Sequence, residues 1–119
     1  MSESIMLEKS KDFAVEIVEL CKNIKQSNKE SILTNQLIRC GTSIGANIHE
    51  SKYASSKSDF IWKMQIALKE CYESEYWLEI LSRTGYISNE QYKTISNNCG
   101  QLRRMLVASI NTVKKNLET

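Results

Sequence analysis

Residues 39–50 read RCGTSIGANIHE and place two glycines, two hydroxyl side chains and an asparagine between segments that have helical periodicity. Gly41 and Gly45 lie about one turn apart on the same face of a helix, and each costs about 1 kcal/mol relative to alanine. Missing Cβ atoms at this spacing allow a second helix to approach closely, which offsets the cost. The stretch therefore predicts a close helix crossing. A Walker-type phosphate loop is not indicated, because no lysine follows and the spacing is absent.

Apolar residues recur in steps of three and four along the rest of the chain, which predicts amphipathic helices. Proline is absent and only four glycines occur, which favours long helices over a strand-rich fold. The predicted core positions are Met6, Ser10, Phe13, Ile17, Leu20 and Ile24 in the first segment, Leu33, Leu37, Cys40, Ile44 and Asn47 in the second, Phe60, Met64, Ala67, Cys71, Ser74, Leu78 and Leu81 in the third, and Tyr92, Ile95, Cys99, Leu102, Leu106, Ser109 and Val113 in the fourth.

Capping signals mark the ends of these segments. A hydroxyl residue followed three positions later by an acid or amide predicts a helix start, and a glycine after the last apolar position predicts a helix end. The start signals are Ser27 with Glu30, Ser56 with Asp59 and Ser88 with Gln91, and the end signal is Gly85. We predict an all-α protein whose single domain, residues 1–119, is an antiparallel up-down-up-down four-helix bundle with helices at about 3–26, 28–52, 57–84 and 89–117.

Composition limits the class of protein. The first residues, MSESIMLEKSKDF, carry charges where a signal peptide needs an apolar stretch, and no apolar run reaches membrane-spanning length. We therefore expect a soluble, cytoplasmic protein. The four cysteines lack C-x-x-C spacing, so we expect no metal site and no cofactor. A nucleophile at Cys40 or Cys71 with His49 as base is an alternative, but cysteines at apolar helix positions usually behave as small hydrophobic residues.

Charge is unevenly distributed along the chain. Sixteen basic and fourteen acidic residues give a net charge of +2, whereas residues 88–119 hold five basic residues and two acidic ones. A locally basic helix indicates either a phosphate-binding surface or an ordinary solvated face. The candidate nucleic-acid ligands are Arg103, Arg104, Lys114 and Lys115 in the fourth helix, with Lys52 and Lys57 at the second loop.

Two further stripes are candidates for contacts. Arg39, Ser43, Asn47 and Glu50 follow one side of the second helix, and Glu73 of the third helix is a candidate partner for Arg39. This stripe is either a hydrogen-bond network that fixes helix register or a ligand-binding or catalytic cluster. The third helix carries a second apolar stripe, which predicts self-association; a broad intramolecular contact is the alternative. Its residues are Trp62, Ile66, Trp77 and Ile80.

The pattern R-x-x-x-S-I-x-x-N-I-x-E at residues 39–50 resembles the signature of the four-helix-bundle proteins associated with intervening sequences of 23S ribosomal RNA genes. Residues 56–81, SKSDFIWKMQIALKECYESEYWLEIL, resemble the third helix of that family. This chain departs from the family pattern at three places. Gly45 stands where the family often has proline, Ser51 where it often has glycine, and Lys69-Glu70 where a Gly-Ser pair is frequent. The resemblance implies a ring-like homopentamer without catalytic activity. It extends to the accessory variability protein of diversity-generating retroelements, a pentamer that binds nucleic acid and a reverse transcriptase.

These observations lead to a hypothesis of a non-enzymatic oligomeric scaffold that binds structured RNA or another nucleic acid through its basic residues. The alternative is an adaptor that holds a partner protein and does not bind nucleic acid directly. An enzyme would need turnover that depends on Glu50, His49 or Cys40.

Overall fold

The computed structural model describes residues 2–118 and contains four helices in that part of the chain. They are α1 (Ser2–Asn28), α2 (Ile32–Ser51), α3 (Lys57–Arg83) and α4 (Asn89–Glu118). None of the helices in this range has an apolar stretch long enough to cross a membrane. The all-α four-helix bundle predicted from the apolar periodicity is confirmed.

Neighbouring helices run antiparallel around an elongated bundle that measures 52 × 22 × 20 Å. Each of α1 and α3 packs against both α2 and α4. Ion pairs between α2 and α3 show that these two helices run in opposite directions, since Arg39 contacts Glu73 near one end and Glu50 contacts Lys63 near the other. The short connections at residues 29–31, 52–56 and 84–88 bring the start of α3 and the end of α4 to the same end of the bundle.

Most of the predicted seam positions lie in the core, which also contains six apolar residues outside the predicted seam: Leu7, Cys21, Ile48, Ile61, Ile87 and Ile110. All six predicted positions of α1 are buried, and so are most of those in the other helices. Ser10 and Ser74 are buried polar members whose hydroxyls donate to the Leu7 and Glu70 carbonyls at 2.6 and 2.8 Å, so neither is left unsatisfied. Six predicted positions are only half-buried: Leu33, Asn47, Phe60, Tyr92, Ser109 and Val113.

Gly41 and Gly45 form the predicted close crossing, and the helix they meet is α1. A Cβ atom at Gly41 would lie 3.1 Å from both branches of the Ile17 side chain. A Cβ atom at Gly45 would lie 3.0 Å from the Ser10 hydroxyl oxygen. Both distances are shorter than ordinary van der Waals contact. The two glycines therefore allow α1 and α2 to pack at a separation that larger residues would prevent.

The caps of α3 and α4 follow the sequence signals. The Asp59 amide donates to the Ser56 hydroxyl at 3.0 Å, and the Gln91 amide donates to the Ser88 hydroxyl at 3.1 Å. Gln91 completes the capping box by accepting from the Ser88 amide at 2.9 Å. Gly85 ends α3 with a φ of 81°, and the amide of the following residue donates to the Leu81 carbonyl, as in a Schellman motif.

The predicted start of the second helix at residue 28, capped by Ser27, is wrong. Ser27 lies in α1, which continues through Asn28 and ends where Lys29 adopts a φ of 55°. The helix that follows begins at Ile32, and Glu30 caps it by accepting from the Leu33 and Thr34 amides at 2.6 and 3.0 Å.

The capping hydrogen bonds also lower the pKa of the Glu30 carboxyl. Partial burial alone would raise the pKa of the Glu30 carboxyl, but hydrogen bonds from the Leu33 and Thr34 amides outweigh it and lower this pKa. The carboxylate therefore remains charged at the start of α2, where the helix dipole favours a negative group.

We predict that replacing Gly41 with leucine lowers the free energy of unfolding by about 1–3 kcal/mol, because the new side chain must displace Ile17. The matched control is Ala46→Leu on the exposed side of the same helix, which we expect to change stability by less than about 0.5 kcal/mol. Urea unfolding at one fixed protein concentration measures both. Equal losses in the two variants would contradict a close crossing at Gly41.

Candidate nucleic-acid interface

The outer face of α4 carries a line of exposed cations. Lys93, Arg104 and Lys115 are all exposed and are eleven residues apart. Eleven residues correspond to about three helical turns with a deviation of about 20°, so the three side chains share one face at intervals of about 16 Å. No acidic residue occurs in the sequence between Glu90 and Glu118. This face therefore carries three cations with no acidic residue between them, while Glu90 lies three residues before Lys93.

Arg103 and Arg104 are adjacent in sequence but have different surroundings. The Arg103 guanidinium donates from Nε to Glu75 Oε1 of α3 at 3.1 Å and is half-buried. Arg104 is exposed. Both side chains reach over Gly100, since a Cβ atom there would lie 3.3 Å from Arg104 Nη1 and 3.4 Å from Arg103 Nη2. The structure thus leaves Arg104 available to a ligand and occupies Arg103 within the bundle.

The remaining predicted cations lie at one end of the bundle. Lys52 and Lys57 flank the connection from α2 to α3, and Lys114 is beside Lys115 near the end of α4. All of these side chains are exposed. The sequence-based set omitted Lys93, although its eleven-residue spacing from Arg104 could have identified it.

Arg39 is held between two carboxylates of α3. One guanidinium nitrogen contacts Glu73, and the other contacts Glu70 Oε2 at 3.3 Å. Glu73 also accepts from the Trp77 indole nitrogen at 3.1 Å. The hydrogen bonds from Arg39 and Trp77 lower the pKa of the Glu73 carboxyl, and the bond to Glu73 raises the pKa of Arg39. The predicted partners Arg39 and Glu73 are therefore in contact across the α2–α3 boundary.

The rest of the polar stripe on α2 divides into two local contacts. The Asn47 amide nitrogen donates to the Ser43 carbonyl at 2.8 Å and lies 3.2 Å from the Ser43 hydroxyl. Glu50 forms an ion pair with Lys63 of α3 at 3.0 Å. These contacts give the polar side chains of the stripe partners within the bundle, and the ion pair joins α2 to α3. They favour the interpretation of the stripe as a hydrogen-bond network that fixes helix register.

The second stripe of α3 is partly solvent-exposed. Trp62 retains 60% of its accessible surface, which is costly for an indole in water. Ile66 and Ile80 are half-buried, and Trp77 packs against the core while its indole nitrogen contacts Glu73. The structure adds two exposed aromatic residues that the sequence analysis did not include, Tyr72 and Tyr76.

Cys40 and His49 do not form a catalytic pair. Cys40 is fully buried, and burial raises the pKa of its thiol to about 11. His49 is exposed and contacts Tyr53 edge-on at a centroid distance of 5.8 Å. Nine residues of helix separate Cys40 from His49, which places them on opposite sides of α2. In the described part of the chain, no group of three or more His, Cys, Asp or Glu side chains is arranged to hold a metal ion.

A groove between α1 and α4 has the opposite charge. It has a volume of about 430 Å³, and Glu16, Glu19 and Glu90 contribute to its walls. Leu20 and Ile95 supply apolar surface. A polyanion is repelled from this side of α4, so the electrostatic field favours approach from the side that carries Arg104.

Comparison with known proteins identifies related sequences and structures. A family model described as 23S rRNA-intervening sequence protein matches residues 2–108. A crystal structure at 1.70 Å of a protein with unknown function from the S23 ribosomal protein family of Bacteroides thetaiotaomicron is 47% identical. The match covers 93% of this chain and 99% of that one, with a TM-score of 0.92. Comparison with curated proteins returned no match.

We predict that the Arg39 cluster stabilises the fold in a pH-dependent way. The pKa of Glu73 is lowered in the folded state, so its contribution is present above its ordinary pKa of 4.5 and is lost as pH falls through the folded value. Replacing Arg39 with methionine should lower the free energy of unfolding at pH 7 by about 0.5–1 kcal/mol, because the pair is partly exposed.

Urea unfolding at pH 7 and again near pH 3 measures this effect, and the difference between wild type and variant should shrink at the lower pH. Lys11→Met is the control, since it removes a cation from the exposed pair with Glu8. If Arg39→Met lowers the free energy of unfolding equally at both pH values, the loss does not come from the ion pairs with Glu70 and Glu73, and the prediction is wrong.

Proposed function

The chain belongs to the 23S rRNA-intervening sequence protein family, and from this premise we propose that it is a non-enzymatic, oligomeric helical scaffold that binds structured RNA. The observation that carries the proposal is the outer face of α4, where no acidic residue lies between Lys93 and Lys115. Arg104, Lys115 and Lys93 are exposed there without an acidic residue on the same helix between positions 90 and 118. Phosphate binding requires such uncompensated cations.

A net charge of +2 is small for a nucleic-acid-binding protein, but several acidic residues of α2 and α3 are paired with cations of a neighbouring helix. Glu70 and Glu73 are occupied by Arg39, Glu50 by Lys63, and Glu75 by Arg103. Among the residues whose side chains the structure describes, no ion pair forms with Lys93, Arg104 or Lys115 on the α4 face, or with Lys52, Lys57 or Lys114 at the end of the bundle. The local charge that a polyanion meets is therefore larger than the net charge indicates.

Self-association supports the same function. The apolar stripe formed by Trp62, Ile66, Trp77 and Ile80 is the surface that we propose contacts a second copy of the chain, and the exposed Tyr76 adds to it. The family resemblance implies five copies. Several weak basic faces in one assembly increase the effective concentration of cations near a bound RNA, so the assembly binds more tightly than one subunit does.

A protein-interaction adaptor is the second candidate function. The exposed Trp62, Tyr72 and Tyr76 favour it, because aromatic residues are enriched at protein interfaces. In this case the α3 stripe binds a different protein, and the affinity changes little with salt. The two candidates therefore differ in both the surface used and the salt dependence.

We predict that the purified protein binds a labelled hairpin RNA and that the affinity falls steeply between about 50 and 200 mM salt, because phosphate contacts release counterions. Fluorescence anisotropy across the salt series gives the slope of log K against log salt. Absence of binding at the lowest salt would overturn the RNA-binding proposal and leave the adaptor as the candidate to test.

We also predict that the wild-type protein has a native mass several times the 13.7 kDa of one chain. Trp62→Ser should weaken assembly, because it removes an exposed indole from the proposed contact. Ile32→Ser is the control, since Ile32 is 78% exposed but lies on α2 outside the stripe. Size-exclusion chromatography with light scattering at several concentrations measures the masses. A monomeric wild type would overturn the oligomer proposal.

A further inference from the structure

We infer that the outer face of α4 binds the backbone of double-stranded RNA along the length of the helix, through Lys93, Arg104 and Lys115 and without Arg103. The inference rests on the proposed RNA-binding function and specifies its ligand class, its surface and its individual residues. Four features of α4 carry it: the geometry of the cations, the absence of exposed aromatic residues, the amides between the cations, and the ion pair that occupies Arg103.

The cations form a straight and rigid array. Lys93 and Lys115 are 22 residues apart on one helix, which corresponds to about 33 Å along its axis. The helix holds this spacing without any loop between the cations. A duplex keeps its phosphates at regular positions, whereas a flexible single strand must lose conformational entropy to follow a straight line. The array therefore matches a stiff double-stranded ligand better than a flexible one.

The same face lacks the groups that single strands require. Proteins that bind single-stranded nucleic acid stack the bases on aromatic side chains. The only aromatic residue of α4 is Tyr92, which is half-buried and packs against the core. The exposed aromatic residues Trp62, Tyr72 and Tyr76 belong to α3 instead. Recognition by α4 is thus limited to backbone groups, as in proteins that recognise duplex RNA by its shape.

Two amides between the cations favour RNA over DNA. Asn97 and Asn111 are exposed and lie four residues from Lys93 and Lys115, respectively, toward the centre of the helix. Four residues correspond to about one turn, so both amides lie on the same face as the cations. An asparagine side chain both donates and accepts hydrogen bonds, as a ribose 2′-hydroxyl does. Contacts to this hydroxyl are how proteins distinguish RNA from DNA.

Arg103 is excluded because its charge is already compensated. Its guanidinium is bonded to Glu75 of α3, and binding to phosphate would require this ion pair to open. Arg104 lies beside it over Gly100 and forms no ion pair with an acidic residue in the described part of the chain. Two neighbouring arginines should therefore differ in their effect on RNA binding, which a general attraction to basic residues does not predict.

The test compares Arg104→Gln with Arg103→Gln, two identical chemical changes one residue apart. The probe is a hairpin RNA with a perfectly paired stem of about 16 base pairs, the span of a typical duplex-binding domain. For each copy of α4 that contacts the stem, we expect Arg104→Gln to reduce the salt slope by about 1, the value of one phosphate contact, and to weaken binding at every salt concentration. Arg103→Gln should leave the slope unchanged, as should Lys22→Gln, which removes an exposed cation from α1.

Two further probes test the ligand class with the wild-type protein: a single-stranded polyuridylate with the same number of phosphates, and a DNA hairpin of the same stem length. We expect the RNA hairpin to bind at least about tenfold more tightly than the single strand, because α4 offers no stacking surface. We expect the DNA hairpin to bind more weakly than the RNA hairpin.

Several results would overturn the inference while the proposed function stands. These are equal slopes for wild type and Arg104→Gln, a loss of slope in Arg103→Gln that equals that of Arg104→Gln, or equal affinities for the RNA hairpin and either alternative probe. A wild-type protein that binds none of the probes at the lowest salt would overturn both the inference and the proposed function. Circular dichroism on each variant confirms that its helices are retained.

Discussion

The close packing of α1 side chains against the backbone of α2 at Gly41 and Gly45 determines how the rest of the bundle is arranged. Gly41 and Gly45 leave Ile17 and Ser10 of α1 in direct contact with the surface of α2. With that side of α2 fixed against α1, the side that carries Arg39, Asn47 and Glu50 turns toward α3. A larger residue at either glycine would separate α1 from α2 and change the position from which Arg39 reaches Glu70 and Glu73.

The sequence predicts most of this fold because its signals are local and periodic. Seam positions repeat in steps of three and four, and the caps at Ser56, Ser88 and Gly85 are defined by residues within one turn of each other. The segment from Ser27 to Glu30 was misassigned because its spacing fits two structures. A serine three residues before a glutamate resembles a capping box, but here the serine belongs to the last turn of α1 and only the glutamate caps α2.

The candidate site was less predictable because it depends on contacts between helices. Arg103 and Arg104 contribute equally to any count of charge, and only the position of Glu75 on α3 distinguishes them. The spacing of apolar residues does not reveal Lys93, because the cations of α4 repeat at eleven residues on the side opposite the core. The clusters of α2 and α3 illustrate the same point, since their charges are largely compensated within the bundle and add little to its external field.

The surfaces proposed for assembly and for RNA binding lie on different sides of the subunit, so the two proposals are compatible. Glu73 and Trp77 lie on the side of α3 that faces α2, and Trp62 and Ile66 follow the same helical register. Glu75, by contrast, points toward α4, where it binds Arg103. A contact between copies through the α3 stripe therefore leaves the outer face of α4 uncovered in each copy. Because each face carries few cations, affinity for RNA should depend on how many copies are assembled, and assembly and binding should strengthen one another.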